Sequence, residues 1–214
     1  MEILKKSREP KQARSRERVE RVLAAASALI AEKGCAGLKV GELAEAADVT
    51  VSSIYQYFDN KAGVIMALAQ RHLDANRQAL EEAFATPPRT AEELAETTTR
   101  LIEFYYDLYR NDPVVRDIWT GAASDKALVD LEARDTEMSV ALVFEGSKHL
   151  FQPRHHGAVR RALLLIIQFA DVAVETAVAA DPKESRKMMD EAQSMLSACW
   201  DAAITPLLLR SDRG

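Results

Sequence analysis

The sequence predicts an all-α fold in which a small three-helix domain precedes a larger C-terminal helical bundle. Apolar residues recur at spacings of three and four along most of the chain, as they do on one face of a helix. No segment keeps the alternation of apolar and polar residues that is typical of a strand. Helix-start signals support the same conclusion: Thr90 and Glu93 form a capping box, and Asp112 and Asp181 each precede a proline.

The elements follow in order from these signals. We predict a disordered basic arm over residues 1–13, a first helical domain over 14–60 and a second over 61–214. The first three helices form one cluster, whereas the later ones are long enough to pack as a bundle. The predicted helices span residues 14–33, 40–47, 51–58, 61–85, 91–111, 113–120, 125–150, 154–180 and 182–205.

Charge is unevenly distributed along the chain. The whole sequence has a net charge of −5, but residues 1–21 carry +4 and the remainder carries −9. A basic end on an acidic body favours a phosphate-facing N-terminus, although a solvated tail of mixed charge would have the same composition. The basic residues are Lys5, Lys6, Arg8, Lys11, Arg14, Arg16, Arg18 and Arg21, and the acidic ones are Glu2, Glu9, Glu17 and Glu20.

Residues 38–61 have the pattern of two short helices joined by a tight turn. Asp48 tolerates a left-handed backbone, Val49 can fill the angle between the helices, and Thr50 can cap the second helix. Apolar positions at helical spacing give each helix an inward face. These positions are Val40, Leu43, Ala44 and Ala47 in the first helix and Ile54 and Phe58 in the second.

The outward face of the second helix carries hydroxyls, an amide and aromatic rings, where an ordinary surface helix would carry Glu and Lys. Such a face suits the major groove of DNA, because Ser and Gln can bond base edges, Val51 can touch a thymine methyl, and Tyr and Lys61 can bond phosphates. An ordinary packed helix pair is the alternative. The outward residues are Val51, Ser52, Ser53, Tyr55, Gln56 and Tyr57.

The string Ile54-Tyr55-Gln56-Tyr57-Phe58-Asp59-Asn60-Lys61, with the preceding helix and turn, resembles the DNA-binding region of the tetracycline-repressor (TetR) family. The resemblance implies a helix-turn-helix DNA-binding domain whose recognition helix begins near Thr50. It also implies that Tyr55 and Lys61 hold phosphates, and that Val51, Ser52, Ser53 and Tyr57 face bases or nearby backbone. Two positions depart from the family pattern: Asp48 replaces the usual glycine, and Lys39 replaces a threonine and adds a cation near the phosphates.

The last two long helices are the predicted dimer interface. The helix at 154–180 is apolar on nearly every side, and such a helix must be covered on nearly every side. The helix at 182–205 carries two apolar stripes. Two such helices from each subunit can form a symmetric four-helix interface, and the family resemblance implies the same homodimer. The stripes contain Met188, Ala192, Met195, Cys199 and Ala203 in one, and Leu196, Trp200 and Ile204 in the other.

Aromatic residues concentrate in the helix at 91–111, where ordinary core packing is one explanation. The family resemblance implies the other, a cavity for a small-molecule inducer that releases the repressor from operator DNA. We expect Tyr105, Tyr109 and Trp119 to line it and Asp171 to orient an otherwise apolar guest.

Other function classes find little support in the sequence. No catalytic motif, nucleotide-binding loop or metal-ligand spacing is present, so we expect no enzyme activity, no cofactor and no metal. The most apolar run, Ala162–Ile167, is too short to span a bilayer, and the two separated cysteines suit a cytoplasmic protein. Three alternatives stay open: an all-helical enzyme or small-molecule carrier, control by a protein partner, and control by oxidation of Cys35.

Overall fold

A computed structural model describes residues 8–122 and 125–208, and within these ranges the regular elements are nine α-helices and three short 3₁₀ turns. Residues 1–7 of the predicted arm lie outside the described residues. Residues 8–13 are helical, because the first helix begins at Arg8 and not after the arm. The helices are α1 (Arg8–Gly37), α2 (Val40–Ala46), α3 (Val51–Tyr55), α4 (Lys61–Ala83), α5 (Ala91–Asn111), α6 (Pro113–Ala122), α7 (Lys126–Ser147), α8 (His156–Ala179) and α9 (Pro182–Ala203).

Local capping sets the helix starts, and the predicted starts at residues 91, 113 and 182 are confirmed. The Thr90 hydroxyl accepts a hydrogen bond from the Glu93 amide at 3.1 Å. The Asp181 carboxylate accepts from the amides of Lys183 and Glu184 at 3.1 and 3.3 Å. Each cap satisfies amides that have no partner inside the helix.

The chain forms two compact units. Of the described residues, the first comprises 8–71, 113–122 and 125, and the second comprises 72–112 and 126–208. The first unit therefore contains α1–α3, the N-terminal part of α4 and all of α6. It takes in residues 61–71 and, among the described residues, 113–122 and 125, all of which lie beyond the predicted boundary of the first domain.

The core of the first unit is built from apolar faces at helical spacing. Ala26 and Ile30 of α1, Leu43 of α2 and Ile54 of α3 are each at most 2% exposed. Helix α6 packs along α1. A salt bridge of 2.6 Å joins Arg71 of α4 to Glu20 of α1.

The core of the second unit lies among α5, α7, α8 and α9. Buried side chains from all four helices form it, among them Leu101, Phe144, Leu163 and Trp200. One polar pair is enclosed in it: the hydroxyls of Tyr106 and Ser185 are hydrogen-bonded at 2.9 Å, which satisfies both groups away from water.

Helix α8 is more apolar than its central run suggests. The segment Pro153–Ala179 is long and apolar enough to cross a membrane by length and composition, contrary to the sequence expectation. The length of the apolar segment was underestimated from the short run Ala162–Ile167, because apolar residues continue on both sides of that run. Val159, Leu163 and Val174 are buried within the second unit, whereas Leu165 and Val172 of the same helix are exposed.

Candidate DNA interface and ligand site

The turn between α2 and α3 has the predicted geometry. Asp48 adopts a positive φ of 52°, which a short polar side chain tolerates better than most residues. Thr50 is extended, and its hydroxyl accepts a hydrogen bond from the Ser53 amide at 3.2 Å. The turn and the cap together fix the direction in which α3 leaves α2.

Helix α3 has one buried and one exposed face, as predicted. Ile54 is 1% exposed and Phe58, just beyond the helix, is 8% exposed. Val51 and Tyr55 are 41% and 51% exposed, which is unusual for large apolar side chains. Ser52 and Gln56 are exposed beside them. These four exposed side chains are called the α3 face below.

Four predicted contact residues make bonds inside the first unit. The Thr50 hydroxyl lies 2.9 Å from the hydroxyls of both Ser52 and Ser53. Tyr57 is half-buried, and its hydroxyl accepts a hydrogen bond from Ser15 of α1 at 3.1 Å. Tyr57 therefore ties the end of α3 to α1 in addition to any role toward DNA.

The two predicted cations have different surroundings. Lys61, the first residue of α4, donates to the carbonyl oxygens of Cys35 and Ala36, each at 3.2 Å. Lys39 is exposed and lies 3.3 Å from the Glu42 carboxylate, which also accepts from Lys33 at 2.7 Å. The hydrogen bond from Lys33 is the main reason that the pKa of Glu42 is lowered.

The C-terminal end of α1 is held by groups that the sequence analysis did not identify. Gly34 has a φ of 72° and a ψ of 167°, a combination that is essentially confined to glycine. Directly after it, the Cys35 amide donates to the Asp117 carboxylate of α6. Burial is the main reason that the pKa of the Cys35 thiol is raised to about 12, and Asp117 contributes. Such a thiol is poorly reactive, because the thiolate is the reactive form.

Several carboxyls of the second unit act electrostatically on Asp171 of α8. Burial, together with the smaller effect of the neighbouring charges of Glu132, Glu175 and Asp135, raises the pKa of Asp171 to about 7. Burial likewise raises the pKa of Asp135 to about 6. The sequence analysis identified Asp171 alone. The other three looked like the solvated charges of ordinary helices.

Tyr105 and Tyr109 of α5 lie beside these carboxyls. Burial raises the pKa of both phenols, and the negative charge of Asp171 contributes to each. The Tyr109 ring meets the ring of His72 edge-on, with centroids 5.3 Å apart. Burial lowers the pKa of His72 to about 4, which keeps this imidazole neutral. Asp171 thus acts electrostatically on two other predicted ligand residues, Tyr105 and Tyr109, and the assignment of all three to a ligand site stays a prediction.

The fourth predicted ligand residue belongs to the other unit. Trp119 is 6% exposed and lies in α6, within the first unit. Its assignment to a ligand site stays a prediction. Among the described residues, no group of three or more His, Cys, Asp or Glu side chains is arranged to hold a metal ion.

The two apolar stripes of α9 differ in their surroundings, which corrects the sequence analysis. Leu196, Trp200 and Ile204 are buried within the second unit, so this stripe is already covered in a single chain. In the other stripe Met195 is 57% exposed and Cys199 is exposed, whereas Ala192 is buried. On α8, the exposed apolar residues are Leu165, Phe169 and Val172, at 66%, 36% and 59%.

Comparisons with known proteins agree with this arrangement. The sequence model of the bacterial regulatory proteins of the tetR family matches residues 22–68, and that of the tetracyclin repressor-like C-terminal domain matches residues 92–199. A TetR-family transcriptional regulator from Streptomyces coelicolor is 25% identical, with a TM-score of 0.70 over 89% of this chain and 99% of that one. No curated protein is similar enough in sequence to count as a relative.

Two further solved structures share the fold. The fatty acid degradation regulator FadR from Bacillus halodurans is 21% identical, with a TM-score of 0.64 over 83% of this chain and 93% of that one. RolR, solved with resorcinol, is 18% identical, with a TM-score of 0.56 over 94% of this chain and all of that one. The C-terminal family model alone covers half of the sequence. The chain therefore belongs to the TetR family and is a DNA-binding transcriptional regulator.

Proposed function

We propose that the protein is a repressor that binds operator DNA as a homodimer and leaves it when a small molecule enters the second unit. The α3 face is the observation that carries this proposal, because Val51, Ser52, Tyr55 and Gln56 are exposed there with no charged residue among them. Hydroxyl, amide and methyl groups can read base edges in the major groove.

Each predicted contact has a defined role in this proposal. Val51, Ser52 and Gln56 meet base edges, and Tyr55 bonds a phosphate. Thr50, Ser53 and Tyr57 orient α3 through their bonds within the first unit. Lys39 and Lys61 supply positive charge toward the backbone. The basic residues near the N-terminus add sequence-independent affinity.

Selection from random duplexes tests the DNA-binding proposal. The purified protein should enrich a palindromic site with half-sites about 34 Å apart or somewhat more. Gln56→Ala should relax base choice at one position in each half-site. Gln78→Ala is the matched control, because Gln78 is an exposed amide on α4 that bonds Glu82 and lies in the second unit. Failure to enrich any sequence contradicts the proposal.

Homodimerisation is proposed through the exposed stripe of α8 together with Met195. Leu165, Phe169 and Val172 recur at spacings of four and three, so they lie on one side of the helix. Exposed large apolar residues in a row are a typical sign of a protein interface. A symmetric copy of the same stripe would cover them.

The inducer is proposed to bind beside Tyr105, Tyr109 and Asp171. RolR, which shares the fold, was solved with resorcinol, and this supports a small-molecule ligand for the present chain. Thermodynamic linkage sets the test: a true inducer must bind more weakly in the presence of operator, by the factor by which it weakens operator binding. Equal ligand affinity with and without operator refutes the switch. In this proposal the protein acts in the cytoplasm, by binding and not by catalysis.

A further inference from the structure

A groove of about 600 Å³ lies between α5 and α9 in the second unit. This volume is within the range of small-molecule sites, about 300–1,000 Å³. Four large apolar side chains line the groove, and because they are buried or half-buried they form its floor. They are Ile102 of α5, Ile166 of α8, and Leu196 and Trp200 of α9. None of the residues assigned to the inducer lines it, so the groove is a separate feature of the unit.

The walls of the groove offer oxygen atoms that can accept hydrogen bonds. On α5, the hydroxyls of Thr98 and Thr99 both donate to the carbonyl of Ala95 at 2.9 Å. On α9, the Ser194 hydroxyl donates to the carbonyl of Asp190 at 3.0 Å. A hydroxyl has a single proton, so these three oxygens can act only as acceptors toward a molecule in the groove.

The floor of the groove contains a donor that has no protein partner, the indole N–H of Trp200. The Trp200 side chain is 7% exposed, and within residues 8–122 and 125–208 its N–H makes no hydrogen bond. The nitrogen is not sealed by packed atoms, and the side chain lines the groove. Because buried indole N–H groups usually have an acceptor, this one calls for an acceptor supplied from the groove.

A network of charges joins the two walls. Arg186 of α9 donates two hydrogen bonds of 3.0 Å to Glu103 of α5 and one of 2.9 Å to Asp190. Glu103 also accepts from the Gln193 amide. These bonds hold α5 and α9 at a fixed separation, so the groove is formed before a ligand arrives. Asp201, at the exposed rim, makes no ion pair in the described part of the chain.

Charge and hydrogen bonding together select the class of ligand. An anion would meet the carboxylates of Asp190 and Asp201, and no lysine or arginine is among the described residues that line the groove. A simple ammonium ion donates hydrogen bonds but cannot accept one from Trp200. An uncharged hydroxyl group does both. Several hydroxyls on one ring can therefore satisfy the walls and the indole, while the C–H face of the ring covers the apolar floor.

We propose that the groove between α5 and α9 binds an uncharged cyclic polyol. One oxygen of the ligand accepts from the Trp200 indole, and other hydroxyls donate to Thr98, Thr99 and Asp201. The site is additional to the proposed inducer site and does not depend on it.

The groove and the surface proposed for the homodimer lie on different flanks of α9. Gln193 and Ser197 line the groove, and Met195 is two residues from each of them. Two residues correspond to about 200° around a helix. Met195 therefore points away from the groove, and a dimer formed through its flank leaves the groove open.

Nuclear magnetic resonance of the nitrogen-15-labelled protein tests this inference, because the chain has only two tryptophans. The Trp119→Phe spectrum identifies the indole N–H signal of Trp200. The uncharged probes are glucose, galactose, mannose and myo-inositol. Glucuronate is the anionic counterpart, and cyclohexylammonium is a cation without an acceptor.

At least one uncharged polyol should shift the Trp200 signal downfield in a saturable titration and leave the Trp119 signal in place. The inference is overturned if none of the four shifts it, or if both signals move together. It is also overturned if glucuronate or cyclohexylammonium binds as tightly as the best polyol.

Two variants test the assigned contacts by calorimetric titration with the polyol that binds. Thr98→Val keeps the shape of the side chain but removes an acceptor, and Trp200→Phe removes the indole donor. Each should weaken binding on the order of three- to tenfold. Thr136→Val is the matched control, because Thr136 of α7 is half-buried, donates to the Glu132 carbonyl at 3.1 Å and does not line the groove. Unchanged affinity in Thr98→Val, or an equal loss in Thr136→Val, contradicts the proposal.

Discussion

Replacing Asp171 with Asn should stabilise the ligand-free protein at alkaline pH and leave it unchanged at acid pH. Burial raises the pKa of Asp171 to about 7 from a reference value of 3.8. The folded state therefore binds the proton more tightly than the unfolded state. The resulting contribution to stability is fully present below pH about 4 and is lost as the pH rises through about 7.

The magnitude follows from the shift in pKa. About three pKa units at about 1.4 kcal/mol each give a loss of up to about 4 kcal/mol in the free energy of unfolding between pH about 4 and pH about 8. Asn cannot ionise, so Asp171→Asn should escape that loss. The variant keeps a residual pH slope, because burial also raises the pKa values of Glu132, Asp135 and Glu175.

Urea denaturation followed by circular dichroism measures the effect at pH about 5 and pH about 8. The difference between Asp171→Asn and wild type should grow by a few kcal/mol over that interval. The exposed Asp130→Asn variant should follow the wild type at both pH values. If the difference between Asp171→Asn and wild type is the same at both pH values, Asp171 ionises without a buried-charge penalty. The argument that burial raises its pKa would then be wrong.

Three further outcomes are expected. Lys61→Met should lower the free energy of unfolding by about 1–2 kcal/mol, because its bonds to two carbonyls are lost. It should also lower the slope of log DNA affinity against log salt concentration by about one. A salt slope equal to that of wild type would show that Lys61 does not contact a phosphate. Val172→Arg should give monomers in light scattering, whereas Val129→Arg, at an exposed apolar site on α7, should remain dimeric. A dimeric Val172→Arg variant refutes the α8 interface. Gly34→Ala should lower the free energy of unfolding, measured by urea denaturation, by about 1–3 kcal/mol because Gly34 has a positive φ. Gly41→Ala, at a helical position with open space around it, should be neutral or stabilising. Equal effects of the two substitutions would contradict the argument from backbone strain.

Features set within one turn of the chain could be predicted from the sequence. The helix starts after Thr90 and Asp181 depend on a side chain and amides two or three residues away, and both are confirmed. The positive φ of Asp48 and the burial of Ile54 and Phe58 also follow from local pattern. Each depends on residues that are adjacent in sequence, so no knowledge of the packing was required.

Features that depend on which neighbour covers a face could not be predicted. The two stripes of α9 have similar composition, and only the packing of α5 and α8 decides that Trp200 is covered while Met195 stays exposed. The same limit applies to the acidic site. Glu132 and Glu175 have the sequence context of solvated charges, and periodicity does not reveal that they approach Asp171.

The end of α1 shows the limit most clearly, because its partners lie 82 and 26 residues away in sequence. An anionic group, Asp117, accepts from the Cys35 amide, and a cationic group, Lys61, donates to the carbonyls of Cys35 and Ala36. The negative carboxylate accepts from a peptide N–H and the positive ammonium donates to peptide carbonyls, so both sets of bonds are charge-assisted. Lys61 is the first residue of α4 and follows α3 closely in sequence. Through its bonds to the Cys35 and Ala36 carbonyls, the residue that is assigned to a DNA phosphate also holds the end of α1. Any bond that it makes to a phosphate must compete with bonds that it already has. Its contribution to DNA affinity should therefore be smaller than that of a free lysine, while its contribution to the stability of the first unit should be larger.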